Sequence, residues 1–332
     1  MLIKHTSSTF EMEKESTPFN VELFNLKRVI MSKNIIVIGS CNTDMVIKAD
    51  RLPVPGETVM GGSFMMNPGG KGANQAVAAA RLKGNVHFIA KTGNDLFGKR
   101  SIEQYEDEGI HVEHIYSDPV LPSGVALIMV DVNGENSITV ASGANGSLSP
   151  KDIEAAHSII EKGDILLMQL EIPIETVEYA AKIAKEKGNK VILNPAPARA
   201  LSADLLKNLY MIIPNETEAE ILSGIKVINW ESARRAADII SAKGVDIVVI
   251  TLGSKGALIK EKDQYHEVPV PKVKAVDTTA AGDTFCGALC VALSEDMDVF
   301  NAVKFANKCA SITVTRMGAQ SSLPYRKEID YL

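Results

Sequence analysis

Residues 277–285, DTTAAGDTF, place the carboxylate of Asp283 directly after Ala280, Ala281 and Gly282, which have almost no side chain. Small residues allow a backbone to approach a ligand closely, and a helix that begins here has free N–H groups in its first turn. The stretch therefore predicts an anion site with an acid–base residue beside it. A close-packed helix start, with Asp283 interacting with the helix dipole, is an ordinary alternative, and this pattern alone does not decide between the two.

Two further stretches carry groups that suit a polar ligand. NPGGKGANQ (67–75) places glycines, Lys71 and Asn74 just before a helical pattern, and CNTDM supplies Asn42 and Asp44, a pair suited to hydrogen bonds with hydroxyl groups. A flexible loop and a polar turn are the alternatives. Each stretch by itself is a weak indication of a ligand site, and the two together are a stronger one.

A third polar stretch, PNETEAE, places Asn215 and Glu218 one helical turn apart. This spacing is suited to a hydrated metal ion or a phosphate, although a plain helix N-cap by Asn215 explains it equally well. The chain has no G-x-x-x-x-G-K-[ST] motif and no G-x-G-x-x-G motif between a strand and a helix. Their absence argues against a Walker-type ATPase and a nicotinamide dehydrogenase.

The elements that position these groups alternate between apolar strands and helices. Such alternation predicts an α/β fold, with a doubly wound and mostly parallel sheet covered by helices on both faces. Ligands of such sheets bind at the carboxyl ends of the strands. The predicted strands include 34–40, 164–171, 190–197, 210–216 and 246–253, and an alanine-rich helix is predicted over 71–84.

Two regions interrupt the alternation and have strand-like patterns without a helix. They cover about 44–68 and 110–125, and after strand-like residues that continue to 132, Asn133 and Gly134 form a tight turn. We expect these strands to form a small antiparallel β-sheet lid over the carboxyl edge of the main sheet. Extension of the main sheet's edge is the alternative.

The composition is ordinary for a soluble globular protein and argues against a general nucleic-acid or membrane-surface binder. The net charge is −6, no long basic run is present, and no apolar stretch is long enough to span a bilayer. The four cysteines form no metal-binding pattern, which favours free thiols in the cytoplasm, and His111 and His114 are interpreted as surface residues. Residues 1–32 are polar and aperiodic and are expected to be a poorly ordered extension, followed by one domain over 33–332.

Taken together, GGKGANQ, PNETEAE, TLGSKG, DTTAAGDTF and TRMGAQSS resemble, in this order, the ribokinase family of carbohydrate kinases of the phosphofructokinase-B type. The resemblance covers the chain from Asn34 to its C-terminus. It implies that Asp283 is the base that accepts the proton of a sugar hydroxyl as it attacks the γ-phosphate. It also implies that the N–H groups of residues 280–283 form an anion hole.

The resemblance assigns further residues to three groups, and by this comparison Asn42 faces the 2-hydroxyl of the sugar. The sugar group contains Asn42, Thr43, Asp44, Gly70, Lys71, Gly72, Ala73, Asn74 and Glu171. The nucleotide group contains Asn215, Glu218, Thr251, Leu252, Gly253, Ser254, Lys255, Gly256, Gly282, Asp283 and Asn307, with Glu218 linked to Mg²⁺. The group for a monovalent cation, commonly K⁺, contains Asp277, Thr279, Thr313, Arg316, Gly318 and Ser322.

The function that the resemblance implies is ATP-dependent phosphorylation of the 5-hydroxyl of D-ribose, in a homodimer formed through the lid. Deoxyribose, a nucleoside or another sugar are the alternative acceptors. A sensing protein that has kept the fold and lost catalysis is a further alternative, against which the intact Asp283 speaks.

Overall fold

The computed structural model of the protein describes residues 33–330, so the predicted extension at 1–32 lies outside the described residues. The thirteen strands in that part of the chain are β1 Asn34–Ile38, β2 Asn42–Lys48, β3 Ser63–Gly69, β4 Asn85–Gly93, β5 Ile115–Asp118, β6 Gly124–Val130, β7 Asn136–Ala141, β8 Ile165–Met168, β9 Lys190–Leu193, β10 Met211–Ile212, β11 Ile247–Thr251, β12 Ala257–Glu261 and β13 Gln264–Val268.

The described helices follow the strands in the expected alternation. They are α1 Lys71–Arg81, α2 Leu96–Asp107, α3 Pro150–Ala155, α4 His157–Glu161, α5 Ile174–Glu186, α6 Ala203–Lys207, α7 Glu216–Ser223, α8 Trp230–Ser241, α9 Ala281–Ser294, α10 Val299–Thr313 and α11 Arg326–Asp330. None of the helices in residues 33–330 combines the length and apolar character needed to cross a membrane.

Nine strands form the main sheet in the order β13-β12-β11-β10-β9-β8-β1-β4-β5. The seven strands from β11 to β5 are parallel to their neighbours, and β12 and β13 add an antiparallel edge. The chain runs from β1 to β4 in one direction and returns through β8 in the other. The strand order therefore reverses between β1 and β8, which is where sheets of this kind bind ligands.

Alternating apolar residues of β1 show why the sheet is covered on both faces. Ile35 and Val37 belong to one buried cluster, which includes residues of α1, α9 and α10, whereas Ile36 and Ile38 belong to a second cluster with residues of α5 and α8. Successive side chains of a strand point to opposite faces, so an uninterrupted apolar strand requires a helical layer on each side. The predicted doubly wound α/β fold is confirmed.

A separate sheet of four strands has the order β3-β2-β6-β7. Its central pair, β2 and β6, is parallel, so the sheet is mixed and the expectation of an antiparallel lid is wrong in this respect. The predicted range 110–125 also differs, because β5 within it pairs with β4 of the main sheet. The small sheet instead takes β6 and β7, which form a hairpin around Gly134.

Candidate active site

The carboxyl ends of β1 and β8 are joined by the side chain of Glu171. Its carboxylate accepts hydrogen bonds from Ser40 Oγ at 2.5 Å and from the backbone N–H of Lys71 at 3.0 Å. Ser40 follows β1, Glu171 follows β8 and Lys71 begins α1, so the three residues meet at the reversal of strand order. Glu171 thus lies at the position where a ligand is expected.

Asn42 is buried at the start of β2 and its amide orientation is fixed by Asn145. Asn145 Oδ1 accepts a hydrogen bond from the backbone N–H of Cys41 (2.9 Å), so its Nδ2 is the donor to Cys41 O (3.0 Å) and to Asn42 Oδ1 (2.7 Å). The oxygen of the Asn42 amide is therefore engaged, which leaves its NH₂ group to donate to a ligand.

Asp44 belongs to β2 of the small sheet, and its carboxylate occupies space left by Gly69. A Cβ atom on Gly69 would lie 2.2 Å from Asp44 Oδ2, so only glycine allows this carboxylate to turn inward. Burial, followed by the negative charges of Glu171 and Asp283, raises the pKa of Asp44 to about 6. Glu171 and Asp283 therefore lie close enough to Asp44 for their charges to act on it.

Asp283 lies in the first turn of α9, and both of its carboxylate oxygens accept hydrogen bonds from amides of α1. Asn74 Nδ2 donates to Oδ2 and Gln75 Nε2 donates to Oδ1, each at 2.9 Å. Burial raises the pKa of Asp283, whereas Lys71 and these two amides act to lower it. The side chain is thereby held in one orientation at the buried end of the site.

Gln75 is itself held by a second layer of buried amides. Gln169 Nε2 donates to Gln75 Oε1 at 2.6 Å, and Gln75 Nε2 also donates to Asn194 Oδ1 at 3.1 Å. Gln169 follows β8 and Asn194 follows β9. The ends of these two neighbouring strands therefore fix the Gln75 amide that donates to Asp283. Such networks restrict the geometry of the group at their end.

Lys71 lies among the acidic residues of the site. Burial alone would lower its pKa, but the carboxylates of Asp283, Glu171 and Glu218 raise the pKa of Lys71 overall. The ammonium group is therefore charged at neutral pH, and it offsets part of the negative charge that surrounds it. A cation in this position suits a phosphate-containing ligand.

The turn before Asp283 has an unusual backbone. Ala280 precedes α9 in the left-handed conformation (φ 59°), and Ala281 N–H donates to Thr278 O at 3.3 Å. Ala281 is thus not the free donor that the predicted anion hole of residues 280–283 requires. In the described part of the chain, the N–H groups of Gly282 and Asp283 have no hydrogen-bond acceptor, as expected for a first helical turn.

Gly282 has neither of the usual structural reasons for a glycine. Its φ is not positive, and a Cβ atom built on it would have no heavy atom within 4 Å. A close-packed helix start would show a clash at this point. The close-packing alternative to the anion site is therefore not supported at Gly282.

The open space beside Gly282 is part of a cavity of about 210 Å³. This cavity brings four of the predicted stretches together, since Lys71, Glu218, Thr251 and Asp283 all contribute to its lining. Its remaining lining residues are Asn194, Ala196, Ile213, Asn215, Thr278, Ala280, Gly282 and Cys286.

Asn215 and Glu218 form a reciprocal cap at the start of α7. Asn215 Oδ1 accepts from Glu218 N–H at 2.8 Å, and the Glu218 carboxylate accepts from the backbone N–H (2.9 Å) and the Nδ2 (3.0 Å) of Asn215. The predicted N-cap is present, yet Glu218 also faces the cavity. Burial raises the pKa of Glu218, and each of its oxygens keeps a lone pair for a water of a hydrated ion.

The predicted nucleotide segment 251–256 forms the end of β11 and a short 3₁₀ turn, Gly253–Lys255. Gly253 and Gly256 have positive φ, and the side chain of Leu252 is buried in the core. Only Thr251 of this segment lines the cavity around Asp283. The polar groups at 252–256 that remain for a ligand are mainly backbone groups, with Ser254 and Lys255 exposed.

Asn307 lies away from that cavity lining, on α10. Its Nδ2 donates to Val268 O at 3.1 Å and to Pro269 O at 3.4 Å. The residue is buried, and it fixes the chain where it leaves β13. The structure therefore gives Asn307 a positioning contact rather than a place among the residues that line the space beside Gly282.

The predicted monovalent-cation residues lie in two adjacent segments, because Asp277 bridges them. Its Oδ1 accepts from Thr279 N–H (2.9 Å) and Thr279 Oγ1 (2.7 Å), and its Oδ2 accepts from Gly318 N–H (2.8 Å). Burial opposes the charged form, but these hydrogen bonds lower the pKa of Asp277 overall. Asp277 is therefore an ionised group that joins the start of the α9 turn to the loop after α10.

The other members of this group have partners of their own. Thr313 Oγ1 lies 2.9 Å from Thr284 Oγ1, the guanidinium of Arg316 pairs with Glu328, and Ser322 Oγ donates to Ala319 O at 2.7 Å. These contacts stabilise the segment. The atoms in it that suit a monovalent cation are its oxygen atoms.

The remaining residues of the sugar group lie at the junction of β2, β3 and α1, where a Cβ on Gly70 would lie 2.8 Å from Asn42 N. They are Thr43, Gly70, Gly72 and Ala73.

Several residues of this site were not predicted from the sequence, and three of them are Ser40, Gln75 and Asn145. Each acts on a predicted residue, namely Glu171, Asp283 and Asn42. Gln75 belongs to the quoted GGKGANQ stretch, and its position next to Asn74 in α1 was a usable signal. Asn145 lies in a 3₁₀ turn far along the chain, and no local pattern indicates its contact with Asn42.

Comparison with known families identifies the class of protein to which this fold and this site belong. Residues 32–326 match the family described as pfkB family carbohydrate kinase. This match covers most of the chain, so the protein belongs to the pfkB family of carbohydrate kinases.

Among curated relatives, the chain is similar to ribokinase from Haemophilus influenzae, with 47% identity over 90% of this chain and 97% of the relative. It is also similar to deoxyribokinase from Salmonella typhi, with 41% identity over 88% of this chain and 95% of the relative. A solved structure of Arabidopsis thaliana ribokinase complexed with ribose and ATP has a TM-score of 0.85, with 33% identity over 91% of this chain and 98% of that chain. The predicted family and the predicted carbohydrate kinase class are confirmed.

Proposed function

We propose that this protein transfers the γ-phosphoryl group of ATP to the 5-hydroxyl of D-ribose, with Asp283 as the base. The observation that supports the proposal most directly is the combination at the start of α9. Gly282 opens onto empty space without a structural need for glycine, and the next residue is a carboxylate oriented by two amides. Space for a transferred group beside an oriented carboxylate is what phosphoryl transfer to an alcohol requires.

In this mechanism Asp283 orients the incoming hydroxyl and accepts its proton as the new O–P bond forms and the bond from the γ-phosphorus to the oxygen of the departing ADP breaks. A carboxylate is a weak base toward an alcohol, so its main contribution is orientation and late proton acceptance. The raised pKa of Asp283 favours that acceptance. The N–H groups of Gly282 and Asp283, at the positive end of α9, stabilise charge on the transferred group.

The two substrates approach this point from opposite sides. On the sugar side, Asp44 and Glu171 accept hydrogen bonds from hydroxyl groups while the Asn42 NH₂ group donates one. Lys71, which the resemblance assigns to the sugar group, shares the cavity with Glu218 and neutralises phosphate charge there. On the nucleotide side, Asn215, Thr251 and the backbone of 252–256 contact the nucleotide. Transfer occurs where both sides meet, next to Gly282.

Two cations belong to the proposal. Glu218 fits the water shell of Mg²⁺, because a buried carboxylate with unused lone pairs faces the cavity. Mg²⁺ bound with ATP neutralises charge on its phosphates. Oxygen atoms of Asp277, Thr279, Thr313, Arg316, Gly318 and Ser322 would hold K⁺, and Asp277 connects that loop to the turn at residue 280.

We also infer that the protein forms a homodimer and is located in the cytoplasm. Ile47, Phe64 and Leu127 expose apolar side chains on one face of the four-stranded sheet, with 42–60% of each residue exposed. A second copy of the lid would cover such a surface, which supports a homodimer. The four cysteines are free and buried, which suits the reducing cytoplasm.

Deoxyribose is an alternative acceptor, and the observation that favours it is the similarity of this chain to a deoxyribokinase. The orientation of Asn42 favours ribose, because a fixed NH₂ donor that faces a 2-hydroxyl would lose its partner with deoxyribose. A site that hydrogen-bonds a hydroxyl rejects the analogue that lacks it.

Initial rates with ATP and Mg²⁺, measured for ribose, deoxyribose, fructose and adenosine with and without K⁺, test the proposal. Ribose should give the highest kcat/KM, and K⁺ should increase that value. Asn42→Ala should lower the ratio of kcat/KM for ribose to kcat/KM for deoxyribose. A preference for any other acceptor would overturn the substrate, and no ATP-dependent product with any of them would overturn the activity.

A further inference from the structure

A cluster of nitrogen and oxygen ligands lies at the amino ends of the parallel strands, away from the candidate active site at their carboxyl ends. It consists of His87 of β4, His111 and Glu113, whose potential ligand atoms all lie within 4.8 Å of one another. His87 is partly buried, and His111 and Glu113 are exposed. The proposed kinase reaction uses none of these side chains.

The backbone holds the two histidines side by side. His111 N–H donates to Val86 O at 2.9 Å and Phe88 N–H donates to His111 O at 3.0 Å, which makes His87 and His111 neighbours across a parallel bridge. Their rings stack with centroids 4.2 Å apart and 11° between the planes. Adjacent positions on neighbouring strands place both rings on the same face of the sheet.

A chain of amides fixes which nitrogen of His111 carries hydrogen. Asn34 Nδ2 donates to the carbonyl of Lys162 (2.9 Å), which can only accept, so Asn34 Oδ1 accepts from Asn85 Nδ2 (2.7 Å). Asn85 Oδ1 is consequently the acceptor toward His111 Nε2 at 3.1 Å. His111 therefore carries its hydrogen on Nε2, and in the neutral ring the lone pair is on Nδ1.

That lone pair faces a carboxylate at a distance that suits a shared cation. His111 Nδ1 lies 3.6 Å from Glu113 Oε1. Two ligands bound at about 2.0–2.2 Å to a tetrahedral ion are separated by roughly 3.4 Å. The Nε2–H of a metal-binding histidine usually donates to an oxygen that orients the ring, which is the contact that Asn85 makes here.

The charge states around neutral pH also suit a metal ion. Burial, followed by the proximity of His111, lowers the pKa of His87 to about 4, so this ring is neutral and keeps its lone pair. A hydrogen bond from its own backbone N–H is the main cause that lowers the pKa of Glu113, which is therefore ionised. Metal ligation requires neutral histidine and ionised carboxylate.

We propose that His87, His111 and Glu113 bind one divalent transition-metal ion of the Zn²⁺ type, with water completing the coordination. Two imidazoles and one carboxylate are typical of Zn²⁺ and its neighbours, whereas Mg²⁺ prefers oxygen ligands alone. A bound ion would tie the segment that follows α2 to β4. This proposal is independent of the kinase reaction.

Calorimetric titration of the full chain with ZnCl₂, without ATP or Mg²⁺, tests the site. We expect one saturable site in the wild type. Its Kd for Zn²⁺ should be at least tenfold higher in His87→Asn and in His111→Asn. His266→Asn is the matched control and should bind as the wild type does, because His266 lies in β13 at the other edge of the sheet and packs on Phe300. The four cysteines are buried and do not compete.

The orienting contact provides a second test, since Asn85→Ala should weaken Zn²⁺ binding by about 10–100-fold without removing a ligand. Zn²⁺ should also raise the Tm of the wild type but not of His111→Asn, and equal Tm values without zinc show that the variant is folded. The proposal is overturned if the wild type shows no saturable Zn²⁺ binding, or if His111→Asn binds Zn²⁺ as tightly as His266→Asn.

Discussion

Two glycines of α9 differ in what their missing side chains leave room for. A Cβ on Gly287 would lie 2.6 Å from the backbone oxygen of Gln75 and 2.9 Å from Ala78 Cβ, whereas a Cβ on Gly282 would meet no atom within 4 Å. Neither residue has a positive φ. The close packing of α9 on α1 explains why residue 287 is glycine. Packing does not explain Gly282, and we attribute it to a ligand that needs the space beside it.

The largest effect should follow from Asp283→Asn, which removes the proposed base from the open end of α9. We expect turnover to fall by about 10²–10⁴-fold, the usual contribution of acid–base catalysis. Ribose binding, measured by calorimetry without ATP, should remain detectable because Asp44 and Glu171 are intact. Turnover equal to that of the wild type would refute the role of Asp283 and remove the functional reading of Gly282.

Gly282→Ala and Gly287→Ala add the same methyl group at two positions of α9, and they should affect activity and stability in opposite ways. Gly282→Ala should lower kcat/KM for ATP by at least about tenfold, a loss of about 1.4 kcal/mol of transition-state stabilisation. Its stability should stay the same or rise by about 0.4–1 kcal/mol, because alanine restricts the unfolded chain.

Gly287→Ala should show the opposite pattern. Overpacking against Gln75 and Ala78 should destabilise the fold by about 1–3 kcal/mol, measured by urea unfolding. Its turnover per folded molecule should fall much less than that of Gly282→Ala. If Gly282→Ala keeps full activity, the open space at the start of α9 does not receive the transferred group.

The ends of the strands show what the sequence could and could not predict. Apolar runs such as 164–171 and 190–197 predict longer strands than β8 (Ile165–Met168) and β9 (Lys190–Leu193). The excess residues include Gln169, Glu171 and Asn194, which leave the sheet to form the site. Apolar periodicity identifies a buried strand, but it does not indicate where its backbone stops pairing.

Contacts between distant segments limited the prediction of the site. The motif residues Asp283, Asn74 and Lys71 were identified from small local patterns, and they do meet. The Asn145–Asn42 pair and the parallel pairing of β2 with β6 depend on which segments the fold brings together. Neither has a local signature, because hydrogen bonds between distant residues leave no periodicity in the sequence.

A smaller effect is expected on the sugar side of the open space, where Asp44 titrates. The pKa of Asp44 is raised to about 6, so Asp44 is an acceptor above that pH and becomes protonated below it. The Kd for ribose, measured without ATP, should therefore increase as pH falls below about 6, approaching tenfold per pH unit if the ionised form alone binds.

Two variants separate Asp44 from Asp283 in this measurement. The pH dependence should persist in Asp283→Asn and disappear in Asp44→Asn, which cannot titrate. A ribose Kd that is constant between pH 5 and pH 7, a range of about one unit on each side of the raised value, would contradict the assignment of Asp44 to the sugar.

The smallest effect is expected for Ala280→Gly, which removes a methyl group two residues before Gly282. The left-handed φ of 59° costs alanine about 1–2 kcal/mol, which glycine does not lose, but glycine also gives the unfolded chain about 0.4–1 kcal/mol of extra entropy. These terms nearly cancel, so urea unfolding should show a change of less than about 1 kcal/mol. Turnover should stay close to that of the wild type, because the variant enlarges the space beside Asp283 rather than filling it. A loss as large as that of Gly282→Ala would mean that this turn supplies a rigid backbone geometry rather than room for the phosphoryl group.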